Sequence, residues 1–130
     1  MRRPTLRAVL LALVLSGCGA SAAPGERESP PRALRAGQHV DVRVGLTEWT
    51  ILVSRERVPP GRLTLLVTNT GATEHDLVVR DGRGTWETAD LRPGERTFLV
   101  VRAGPHETLR LWCSMPGHRA QGMHTTLTTS

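Results

Sequence analysis

The chain is expected to form an all-β domain, a Greek-key antiparallel β-sandwich of seven or eight strands, on three observations. Apolar residues alternate with polar ones along short segments, turn residues recur about every ten positions between them, and no segment of the domain carries a convincing helical period. The alternation runs through Val40, Val42 and Val44, through Trp49, Ile51 and Val53, and through Leu63, Leu65 and Val67, and it returns from Thr108 to Trp112. Residues two apart share one face of a strand, so each set marks a face turned inward. Pro59-Pro60-Gly61, Asn69-Thr70-Gly71, Asp81-Gly82-Arg83-Gly84, Arg92-Pro93-Gly94 and Ala103-Gly104-Pro105 separate the strands as turns. A strand opened by His75 and running to Arg80, and a last one from Thr125 to Thr128, complete the set.

The region before the domain reads differently. Met1 to Arg7 is basic, Ala8 to Leu15 is apolar but too short to span a bilayer, and Leu15-Ser16-Gly17-Cys18 resembles the bacterial lipobox, cut before a cysteine that becomes acylated. Residues 1–17 are therefore expected to be a lipoprotein signal peptide, and residues 18–38 a lipidated Cys18 followed by a flexible tether of Ala, Ser, Pro, Glu and Arg. The domain occupies 39–130. This organisation implies an extracytoplasmic protein, lipid-anchored on the periplasmic or cell-surface side of a bacterial membrane.

Charge excludes more than it assigns. The formal net charge is +5, and all 17 basic residues are arginine; without residues 1–17, 14 arginines face 12 acids, a net of +2. These arginines are scattered among acids and aromatic residues are few, so nucleic-acid binding has no support.

The chemistry concentrates in Cys113-Ser114-Met115-Pro116-Gly117-His118-Arg119-Ala120-Gln121-Gly122-Met123, with His75 upstream. On a helix, residues five apart would sit roughly 140° from one another, so Cys113, His118 and Met123 would share no face, and Pro116 and Gly117 interrupt a helix in any case. They must converge from one loop. A thiolate, two imidazoles and a thioether are the ligand set of a blue-copper electron-transfer site. Structural zinc prefers several thiolates, catalytic zinc an open water position, and a thioether favours copper. A binuclear copper centre needs two bridging thiolates, and Cys113 is alone in its loop.

With these residues the chain resembles the cupredoxins, the small blue-copper proteins that include plastocyanin, azurin and rusticyanin. The Cys-x₄-His-x₄-Met spacing enclosing Pro-Gly-His looks most like the rusticyanin and auracyanin branch, and Pro60-Gly61, Asn69-Thr70-Gly71 and His75-Asp76 also read like the family, over about Val40 to Leu127. The resemblance implies one type 1 copper ion held by His75, Cys113, His118 and Met123. It also implies a bond between Asp76, where the family usually has Asn, and Ser114. Whether the carboxylate lowers the potential depends on its protonation and bonding.

The function implied is single-electron transfer between redox partners such as a cytochrome, an oxidase or a reductase, by a monomer that is not itself an enzyme. The alternative is copper storage or delivery to an oxidase. Electrons are expected to leave through His118, ringed by the uncharged Met115, Pro116, Gly117, Gly71 and Ala72, with a second route through Trp112. His39, His106 and His124 read as incidental, His39 and His106 as solvent-exposed. If Cys18 is acylated and Cys113 binds metal, no disulfide is available.

Overall fold

A computed structural model of the protein describes residues 37–130; the expected signal peptide, the expected lipidation site Cys18 and the expected tether up to residue 36 lie outside the described residues. The described chain is all-β, with nine strands: β1 (Val42–Thr47), β2 (Thr50–Val53), β3 (Arg57–Val58), β4 (Gly61–Asn69), β5 (Val78–Arg80), β6 (Thr85–Glu87), β7 (Arg96–Ala103), β8 (Thr108–Trp112) and β9 (His124–Thr129). A single 3₁₀ turn, Arg119–Gln121, interrupts the last loop. The strands form two facing sheets, ordered β2-β1-β4-β7 and β3-β9-β8-β5-β6, and the chain passes between them in Greek-key fashion.

The alternation expected along β1 and β4 builds the core, and β7, a further alternating strand, joins them. Val42, Val44 and Leu46 of β1, Leu63, Leu65 and Val67 of β4, and Leu99, Val101 and Ala103 of β7 form one buried cluster with Leu77, Val79, Leu109, Leu111 and Leu127 of the second layer. Each fully buried leucine stabilises the fold by roughly 1.5–3 kcal/mol relative to an exposed one.

Four details differ from the sequence expectation. The strands number nine rather than seven or eight, because β3 with two residues and β6 with three are too short to show an alternation. The sheets are mixed: β1 lies parallel to β4 and β3 parallel to β9, the other pairs being antiparallel. Hairpin-length spacing does not reveal such pairs, because the partners are separated by other strands. His75 does not open a continuous strand; it makes an isolated bridge with Leu91, and β5 begins only at Val78. Trp49 does not share the inward face of Ile51, for it sits in the β1–β2 turn, 37% exposed.

The parallel pairing places the site. Because Leu46 registers with Asn69, β1 and β4 finish at the same end of the sandwich. In the other sheet Val78 pairs with Trp112, and Trp112 with His124, so β8 ends where β5 and β9 begin. The loops following β1, β4 and β8 therefore meet.

Candidate metal centre

The loop after β8 is closed by its own backbone. Strand alternation turns Leu111 inward and Trp112 outward, so Cys113 points in again and is fully buried. Met115 to His118 then form a tight turn in which the His118 amide donates to the Met115 carbonyl at 3.1 Å. Pro116 and Gly117 fill its central positions, and Gly117 has φ 82°, as a type II turn requires. Gly122, φ 113°, ends the 3₁₀ turn by donating to Arg119. The Met123 amide donates to the His118 carbonyl and the Cys113 amide to the Met123 carbonyl, both at 3.1 Å. The three residues thus share one hydrogen-bonded ring of backbone.

His75 arrives from the other side. Buried Asn69 shapes its loop: the side-chain amide donates to the Thr73 and Leu91 carbonyls at 2.7 and 2.8 Å, and its oxygen accepts from the Gly71 amide at 2.8 Å. Two backbone bonds with Leu91 then fix His75, which has no exposed surface.

These elements bring three donor atoms together. His75 Nδ1 lies 3.2 Å from His118 Nδ1, and Cys113 Sγ lies 3.9 Å from the first and 3.5 Å from the second. The centre of that triangle is about 2.1 Å from each corner, on the scale of first-row metal bonds, ~2.0–2.1 Å to imidazole and ~2.3 Å to thiolate for zinc. Met123, buried and tied through its backbone to Cys113 and His118, completes the donor residues at this end. Two imidazoles and one thiol converging on a point, with a thioether residue beside them, fit one type 1 copper ion better than zinc.

The surroundings of the sulfur follow from burial. Desolvation pushes the Cys113 thiol up from its ordinary value and the Asp76 carboxylate adds to this, whereas the amides of Asp76 and Met115, bonded to the sulfur, oppose it. A cation binding there displaces the thiol proton. Asp76, 5% exposed, accepts from the Ser114 amide at 2.6 Å through Oδ1 and from the Ser114 hydroxyl through Oδ2. This pair bonds the His75 loop to the Cys113 loop.

Two contacting residues carry no signal in the sequence. Glu48, in the β1–β2 turn, accepts at Oε1 from the Ala72 amide (2.9 Å), the Thr73 amide (2.8 Å), the Thr73 hydroxyl (2.9 Å) and His75 Nε2 (3.2 Å). Hydrogen bonds from its own backbone amide and then from that of Thr73 hold its carboxyl down to about 2. Trp49 places its ring edge-on to the His118 ring, with centroids 4.8 Å apart. Neither residue lies in a motif, and only the packing of the β1–β2 turn against the loop after β4 shows them.

Around His118, Pro116, Gly117 and Ala72 are exposed, whereas Met115 and Gly71 are half-buried and Met115 packs on the core. Gly71 lies beneath the Glu48–His75 pair, where a Cβ would come within 2.8 Å of three of their polar atoms. Trp112, on the outer face, lies under the Arg119 guanidinium at 4.7 Å. His39, His106 and His124 are exposed, and His39 bonds to Asp41.

Two sheets that gather a buried histidine, a thiol, a second histidine and a methionine at one end define the cupredoxin fold. Solved structures agree. The chain matches auracyanin from Roseiflexus castenholzii with a TM-score of 0.58 and 20% identity, over 68% of this chain and 94% of that one. It matches auracyanin B with the same score and identity, over 68% and 87%. It also matches auracyanin A, a blue copper protein from Chloroflexus aurantiacus, with a TM-score of 0.53 and 14% identity, over 68% and 99%. No family model and no curated protein matches the sequence. What these structures share with the chain is the fold.

Proposed function

We propose that this chain is a type 1 copper protein that carries single electrons between redox proteins. In this reading a lipid on Cys18 tethers it to the extracytoplasmic side of a bacterial membrane. The observation that carries the redox reading is the triangle of His75 Nδ1, Cys113 Sγ and His118 Nδ1, whose centre is at metal-bond distance from all three corners. A copper ion held there supplies a one-electron couple. The chain supplies rigidity: His75 is locked by Leu91, Cys113 and Met123 by each other's backbone, and the two loops by Asp76 and Ser114. A site that cannot rearrange between oxidation states needs little reorganisation to accept or release an electron.

Burial argues against storage or delivery, since the side chains of His75, Cys113 and Met123 have no exposed surface and an ion could leave only by opening the loop. His118 is partly exposed beside Trp49, so the electron's shortest way out is that imidazole edge. The test is an optical spectrum and redox titration after adding copper(II) to the purified protein. An intense blue or green band that Cys113→Ser abolishes, with reversible one-electron reduction, supports the reading. A colourless copper complex overturns the type 1 assignment.

A further inference from the structure

The far side of the His75 ring carries a second built feature. A carboxylate oxygen has no proton to offer, so the 3.2 Å contact between Glu48 Oε1 and His75 Nε2 requires the imidazole to donate from Nε2. Its single remaining lone pair is then on Nδ1, the atom facing Cys113 and His118. The other donors to Oε1, two amides and a hydroxyl from residues 72 and 73, come from the loop that leads into His75. One oxygen therefore anchors both the loop and the ring. Gly71 leaves the room this needs, since any Cβ there would press on both carboxylate oxygens and on Nε2.

Resting on the copper reading above, we propose that Glu48 is a positioning residue of the metal centre, fixing the Nε2–H tautomer of His75 and lending the imidazole negative charge that favours Cu(II) over Cu(I). Carboxylates bonded to the far nitrogen of a metal-bound histidine orient the ring and raise its basicity. A more basic donor and a nearby negative charge both stabilise the higher oxidation state. The effect is carried by the charge and the tautomer, not by bulk, so an isosteric neutral side chain separates it from simple packing.

The experiment compares wild type, Glu48→Gln and Gly71→Ala. Glu48→Gln keeps an oxygen that accepts from residues 72 and 73 but removes the charge, and it should keep the thiolate band while shifting the equilibrium with a reference couple at least tenfold toward Cu(I), 59 mV for one electron. Gly71→Ala, which wedges the pair apart, should shift it the same way. In metal-free wild type, nitrogen-15 NMR should find the His75 proton on Nε2. A Glu48→Gln protein with an unchanged band and an unchanged potential overturns the inference while leaving the copper reading intact. If wild type forms no thiolate band, the copper reading falls and the tautomer decides: a proton on Nδ1 overturns the positioning role, and one on Nε2 supports it.

Discussion

Replacing Asp76 with alanine and with asparagine separates what this residue does for the fold from what it does for the metal. Its two oxygens hold the amide and the hydroxyl of Ser114, linking the two ligand-bearing loops. A hydrogen bond to a charged group contributes about 1.5–3 kcal/mol. Ser114 is exposed, so water replaces much of what its freed donors lose, and the two bonds together should be worth about 2–3 kcal/mol in Asp76→Ala. In Asp76→Asn the side-chain oxygen still accepts from the amide, and the new NH₂ donates to the Ser114 hydroxyl, which turns to accept. Only the charge-assisted part is lost, and relief of a buried carboxylate offsets some of it, leaving about 1 kcal/mol or less. For a domain of this size, 1 kcal/mol moves Tm by roughly 4–8 °C, so thermal unfolding of the metal-free protein should show a drop of ~10–20 °C for alanine and no more than ~8 °C for asparagine. Equal drops in the two variants would refute the argument that the Asp76–Ser114 bonds join the loops. With copper bound, the asparagine variant should also have the higher potential.

Met123→Leu should keep the blue colour and raise the potential, and Met123→Gln should lower it through a stronger oxygen donor; if neither moves it in a redox titration, Met123 is not a ligand. Wild-type protein should be cleaved before Cys18, carry an acylated cysteine and partition with membranes, whereas Cys18→Ala should be neither lipidated nor cleaved at that site, as membrane fractionation and mass spectrometry of the N-terminus would show; a mature wild-type protein that is soluble with an unmodified N-terminus would reject the anchor. A charge in the exposed rim, Pro116→Glu, should slow electron exchange with the partner in stopped-flow measurements while leaving spectrum and potential nearly intact, and equal rates would move the exit to Trp112. The Glu48 carboxyl is lowered from 4.5 to about 2 in the folded protein, so its contribution is fully present above pH 4.5 and is lost as the pH falls toward 2; acid unfolding of metal-free Glu48→Gln should lack that part of the pH dependence.

Whatever rests on near neighbours along the chain can be read from the residues alone. Alternation along β1, β4 and β8 marked inward faces correctly because a strand's two-residue period is local. Cys113, His118 and Met123 were legible as one site because a single loop carries them and because Gly117 and Gly122, both at positive φ, mark where that loop must turn. His75 was legible only through family likeness, since 38 residues separate it from Cys113 and no local rule links them. The remaining features arise only when the sheets assemble. Trp49 alternates in sequence with Ile51 yet faces outward against His118, because the β1–β2 turn breaks the strand period before it reaches Ile51. Glu48 lies 27 residues before His75, and reaches it because β1 pairs in parallel with β4, bringing the turn after β1 against the loop after β4. Parallel pairing between separated strands depends on how whole sheets bury their faces, a property of the assembled chain that no stretch of residues carries alone.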